Sequence, residues 1–358
     1  MDRIWWEQTT NAARFISRIT DTMAEGKSVV LILPKKAPWY QTMCELIKGK
    51  IQRRDSKYSF DDIEAPSEKP GEFLLRHYCM EEKQAQYRPN KSYAQFLAES
   101  DDIVLNDRYI WIRGLSNKQC EEWVQFLSEY TKYKKRNVAA AVFLLEIREE
   151  NFRYGAKKGI VSLSFEKEIS AYDRYTFCAL AAAGITCADE LRPYMAEVVS
   201  KICGEDIELC AKCIRMGTKF LEDPYKQLMQ IIKQGRQSSG EDFSVQMTKE
   251  EVDKKIWEAQ IRCIFPVIES YRGYFVKRYY EKIQKRLPIS NSNGERILDP
   301  DELEIGTLLF MAAEGDLLIS KKEHDRLHQF REARNTLAHM KKMEEQDVEK
   351  VLYDCNFG

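Results

Sequence analysis

Apolar residues fall at helical spacing over Trp5, Ala12, Phe15, Ile16, Ile19 and Met23, which predicts an amphipathic helix near the start of the chain. Gly26 punctuates it. The next run, Ser28-Val29-Val30-Leu31-Ile32-Leu33, is apolar on both faces and rich in branched side chains, as a strand buried in a parallel sheet must be. Pro38 fits the first turn of a helix reaching about Lys50. The alternation recurs with a buried strand at Tyr109-Ile110-Trp111-Ile112. Ser116 and Gln119 then form a capping box opening a helix through about Lys132. Residues 138–145 read as a third buried strand and 160–165 as a fourth. Strands separated by helices imply an α/β domain with an open, mostly parallel sheet.

From Ser170 to Ile232 the apolar spacing is helical throughout, which predicts a helical subdomain over one end of that sheet. Gln234-Gly235-Arg236-Gln237-Ser238-Ser239-Gly240-Glu241-Asp242 is too polar to pack and reads as a boundary. Beyond it, Thr248 and Glu251 make another capping box. Val252, Ile256, Ile261, Ile264, Phe265, Ile268, Tyr271, Phe275 and Tyr279 mark a long amphipathic helix, kinked near Pro266. A polar loop spans 287–300, and helices follow at about 301–313, 321–339 and 345–353. The expected organisation is an α/β domain over 1–233 with a helical part at about 170–233, a linker at 234–247, and an all-α domain over 248–358.

Composition narrows the classes of function. At about 150 residues per domain, 358 residues make roughly two domains. The 56 Lys+Arg against 57 Asp+Glu leave no global positive field, so any nucleic-acid contact must come from a local patch. No run approaches about 18 apolar residues, which argues against a membrane span. The polar opening Met1-Asp2-Arg3-Ile4-Trp5-Trp6-Glu7-Gln8 is unlike a signal peptide. The ten cysteines, including Cys44, Cys120 and Cys178, sit mostly in apolar patterns and suggest reduced core thiols in a cytoplasmic protein. Cys210-Ala-Lys-Cys213 is one CxxC without the second pair that a zinc site needs, so neither metal nor cofactor is expected.

A phosphate-binding loop would lie directly after the 29–33 strand, where glycines let successive N–H groups face phosphate. The connection here is Pro34-Lys35-Lys36-Ala37-Pro38, with no glycine and two residues lacking a donor. The strand 109–112 likewise ends in Arg113-Gly114 and not in a carboxylate. By layout, residues 1–230 resemble a degenerate, P-loop-NTPase-like domain without Walker A, of the kind called inactive STAND in bacterial defence systems. That resemblance implies no ATP hydrolysis.

Arg334-Asn335-Thr336-Leu337-Ala338-His339 supplies the clearest chemistry. It matches the R-x4-H signature of HEPN domains, and residues 248–355 resemble that all-helical family. Leu303, Ile305, Leu308 and Leu309 precede the motif on one helix. Leu327, Phe330 and Leu337 form a ridge under it, and Val348 and Val351 follow. RNA can be cleaved without metal when its own 2′-hydroxyl attacks the adjacent phosphate, which requires a proton-transfer group and a cation. His339 suits the first role and Arg334 the second, with Asn335 orienting either group. In HEPN ribonucleases two protomers face each other, so the resemblance implies a dimer, with RNA and other defence-system proteins as partners. Five residues at about 100° each place Arg334 and His339 about 140° apart on an ideal helix, so either the helix loosens before His339 or the site closes only across two copies. A structural alternative has His339 buried on a backbone carbonyl and Arg334 paired with Glu332 or Glu345.

Lys277, Arg278, Lys282, Lys285 and Arg286 interleave with Tyr279 and Tyr280, a pattern able to hold an RNA backbone or to form a charged outer face. His324 and His328 lie one turn apart, but no third ligand is apparent. The expected function is a metal-independent endoribonuclease effector of a prokaryotic defence system. The alternative is a non-catalytic scaffold subunit, with a nucleotide bound but not hydrolysed in the α/β half.

Overall fold

The computed structural model describes residues 1–101, 103–134, 140–149, 152–155, 157–243, 245–290 and 294–353. They form two compact units, Met1–Asp173 and Arg174–Gly358.

The first unit is built on five strands: β1 (Ser28–Ile32), β2 (Ser59–Glu64), β3 (Arg108–Leu115), β4 (Val142–Ile147) and β5 (Ile160–Ser164). All pair in parallel, in the order β2-β3-β4-β1-β5. β1 and β4 are buried along their whole length, as their apolar runs require. Helices Pro70–Tyr78, Tyr93–Glu99 and Asn117–Tyr133 cover one face, packing on Val30, Ile32, Ile110, Ile112, Phe143 and Leu145. The alternate residues Leu31, Trp111 and Glu146 face the other way, toward Thr10–Ala24 and Tyr40–Arg54. Trp5 and Trp6 are buried on a short π-helical turn.

Several expected boundaries move. Strand 109–112 is the middle of the longer β3, and the third strand begins at Val142. Val138 and Ala139, where it was expected to start, lie outside the described residues. Trp39, in the left-handed region at φ 41°, caps a helix that starts at Tyr40 and runs past Lys50 to Arg54. β2 has no apolar run to announce it, since Ser59-Phe60-Asp61-Asp62-Ile63-Glu64 is an edge strand. Its acids pair across to β3: Asp61 meets Arg108 at 2.8 Å, and Asp62 meets Arg113.

The second unit is helical, with helices Ala171–Ala183, Leu191–Ile202, Ile207–Arg215, Thr218–Glu222, Pro224–Gln234, Lys249–Cys263, Phe265–Gln284, Ile305–Ala313, Lys321–Ala338 and Glu345–Tyr353. The units divide between Asp173 and Arg174 and not within 234–247, where the polar composition placed the linker. That stretch is held down: Ser238 donates its N–H and hydroxyl to the buried Glu208 at 2.6 Å each, Gln237 donates to Asp206 at 2.8 Å, and Phe243 is buried. Leu191–Ile202 packs along Lys249–Cys263, with Arg262 paired to the buried Glu197 at 2.7 Å. The break expected near Pro266 falls at Ile264, and a second one lies at Tyr279. The 287–300 loop carries a short hairpin between Ile289–Ser290 and Arg296–Ile297.

Candidate functional site

The motif helix, Lys321–Ala338, begins in a capping box: Ser320 Oγ accepts the Glu323 N–H at 3.2 Å and Glu323 accepts the Ser320 N–H at 3.1 Å. Partial burial opposes ionisation of Glu323. The Ser320 donors, the Tyr279 hydroxyl and Arg278 outweigh it and hold the carboxyl below its ordinary range. Leu327, Phe330, Ala333 and Leu337 form the buried stripe. Tyr271 lies against Phe330 with ring centroids 4.3 Å apart.

The helix ends at the motif itself. His339 is the C-cap residue, and its N–H donates to Asn335 O at 3.0 Å. Met340 follows at φ 57°, its N–H bonding Leu337 O at 3.1 Å, while Lys341 N–H reaches Thr336 O at 3.1 Å. This Schellman closure satisfies carbonyls that a helix end leaves open. Trp257 Nε1 donates to Leu337 O at 2.8 Å, fixing the last turn to Lys249–Cys263. The buried Gln260 fixes the chain beyond. Its Nε2 donates to Met343 O at 2.9 Å and Tyr194 Oη at 3.1 Å, and its Oε1 accepts the Met343 N–H at 2.7 Å.

That frame presents His339 to solvent, so the expectation of a buried, carbonyl-bound imidazole does not hold. Its ring makes no hydrogen bond or ion pair with another described residue. Arg334 is half-buried and pairs with Glu304, at 3.4 Å, in place of the expected Glu332 or Glu345. Glu332 instead meets Arg331. Asn335 is half-buried. Among the described residues no hydrogen bond or ion pair joins the three side chains within one chain, in keeping with the helical angle between them.

The basic patch divides. Arg278 donates to Tyr274 Oη at 2.8 Å and sits 3.3 Å from Glu323, and Arg286 pairs with Asp316. Lys277, Lys282 and Lys285 are exposed without an ion pair among the described residues, Lys282 lying 5.6 Å from the Tyr279 ring. Tyr279 is buried, and its hydroxyl donates to Glu323 at 2.9 Å. Among the described residues the acid near His324 is Asp325, at 3.9 Å. Among the described residues no group of three or more His, Cys, Asp or Glu is arranged to hold a metal ion.

In the first unit, Lys35 and Lys36 are exposed, and Pro38 O accepts the Trp6 indole N–H at 3.0 Å. Sequence reasoning missed Glu146, the fully buried carboxylate near the end of β4. It accepts from Tyr40 Oη at 2.6 Å, Trp111 Nε1 at 3.1 Å and Arg148 Nε at 3.1 Å. Burial, reinforced by the Glu146 charge, pushes the Tyr40 phenol far up. One acid inside the otherwise apolar Val142–Ile147 run was the available signal. With three donors already engaged, Glu146 acts as a structural hub.

No protein-family model matches the chain, and no curated protein matches it. No helix among the described residues is long and apolar enough to cross a membrane.

Proposed function

We propose that the second unit is a HEPN-like, metal-independent endoribonuclease that completes its site with a second copy, and that the first is a P-loop-like domain without phosphate chemistry. The observation carrying this reading is the exposed His339 imidazole on a pinned helix end, with the Arg334 guanidinium one flank away. In cleavage, His339 takes the proton of the attacking 2′-hydroxyl, the 2′-oxygen bonds phosphorus as the bond to the 5′-oxygen breaks, that oxygen leaves with a proton from water, and Arg334 neutralises charge growing on the phosphate. Asn335 orients the phosphate, and Lys277, Lys282 and Lys285 hold neighbouring phosphates. The glycine-free loop after β1 supports a first unit that acts as sensor or regulator in a defence system.

The test is RNA degradation in EDTA. Wild type cleaves, and His339→Ala and Arg334→Ala each lower the rate by about 100-fold or more. Cleavage unaffected by both changes, or absent from the wild type at every protein concentration, overturns the proposal.

One observation favours a scaffold reading. Arg334 is engaged by Glu304, and Phe310, Leu318 and Met340 are exposed apolar side chains of the same unit. A stable complex with another protein, formed equally well by both variants, would support it. Nucleotide binding by the first unit is read from thermal shift, since a ligand at 100 times its dissociation constant adds about 2.7 kcal/mol.

A further inference from the structure

Four thiols converge in the core of the helical unit. Cys178 comes from helix Ala171–Ala183, Cys203 directly follows Leu191–Ile202, and Cys210 and Cys213 lie one turn apart on Ile207–Arg215. All four are fully buried and reduced. The Cys203 and Cys213 sulfurs are 3.5 Å apart, and Cys210 lies within hydrogen-bonding reach of Cys178 and Cys203.

We propose that Cys203 and Cys213 form an oxidation site, a dithiol that hydrogen peroxide converts to an intrachain disulfide. A disulfide needs the sulfurs at about 2.05 Å, so closure requires roughly 1.5 Å of approach, within reach of side-chain torsions. One sulfur, as thiolate, attacks a peroxide oxygen. The O–O bond breaks, water leaves after protonation, and a sulfenic acid remains. The second sulfur then attacks the sulfenic sulfur, the S–S bond forms, the S–O bond breaks, and a second water leaves. Two thiols have lost two electrons and two protons to one peroxide.

Donation from Cys178 and Cys203 favours the thiolate at Cys210, while burial drives the Cys178 and Cys203 thiols up. Burial sets the rate, because a closed core admits even a small neutral oxidant only through local opening. Oxidation should be slow, and the half-buried Cys187 and Cys263 should be alkylated first.

The experiment treats the full chain with hydrogen peroxide, blocks remaining thiols after denaturation, and maps tryptic peptides. A bond between Cys203 and Cys213 joins segment 202–212 to 213–215, with a mass two hydrogens below their sum, and dithiothreitol reverses it. Fragment ions must place the bond at Cys203 and not Cys210. Cys213→Ala abolishes the cross-link and Cys178→Ala keeps it. If Cys213→Ala does not fold, the wild-type map decides alone. A folded chain that shows no cross-link, or one that uses Cys178 or Cys210 instead, overturns the proposal. The outcome is independent of RNA cleavage.

Discussion

At the scale of single residues, two side chains of the helical unit make separable predictions. Gln260 is buried with its donor and acceptor engaged, so Gln260→Leu strands the Met343 amide and the Tyr194 hydroxyl in the core. The expected cost is about 2–3 kcal/mol, read by urea denaturation. Glu345 carries a pH dependence. Burial, with Glu349 and Glu222 adding, pushes its carboxyl from an ordinary 4.5 up to about 7. A carboxyl raised on folding binds its proton more tightly in the folded chain. Its stabilising contribution is therefore full below pH 4.5 and lost as pH rises through about 7. Glu345→Gln should flatten that part of the stability profile and raise the melting temperature at pH 8 by about 2 °C, in a scan from pH 5 to pH 8. His339 shows how far residue type could be read. Its identity and helix-end position were legible in the sequence. Its exposure was not, because Trp257 and Gln260, some eighty positions earlier, hold that end.

Among the elements, the close crossing of Pro70–Tyr78 and Tyr93–Glu99 rests on one glycine. A Cβ at Gly71 would sit 2.3 Å from Tyr93 Cβ, a backbone-proximal atom that cannot rotate away. Gly71→Ala should destabilise by about 2 kcal/mol despite the roughly 1 kcal/mol helix preference for alanine, and denaturation checks the sign. The elements with apolar periodicity or capping boxes, namely β1, Asn117–Tyr133, Lys249–Cys263 and Lys321–Ala338, were readable in advance. β2 was not, since an edge strand held by main-chain pairing and the Arg108 and Arg113 bridges needs no apolar run. Helical spacing over 170–232 is legible in the sequence, but not that the residues from Arg174 onward belong with the helices beyond 249.

At the scale of the whole molecule, a site shared by two copies predicts complementation. Arg334→Ala and His339→Ala, each inactive, should regain about a quarter of wild-type cleavage when refolded together. Half of randomly paired dimers are mixed, and each mixed dimer rebuilds one of its two sites. No recovery, in mixtures shown to exchange, points to a site completed within one chain. The polar 234–242 segment gives the corresponding lesson about domains. Composition marked it as a separator, but it lies down because Glu208 and Asp206 offer it acceptors.

Local sequence determined what depends on near neighbours: the caps, the helical and strand periods, the missing glycines after β1, and the residue types of the Arg334–His339 motif. Tertiary structure decided which distant groups meet. It paired Arg334 with Glu304, satisfied Glu146 through Tyr40 and Trp111, and brought Cys203 to 3.5 Å from Cys213. Periodicity is a property of consecutive positions, whereas burial and partnership arise only when separated segments fill the same space.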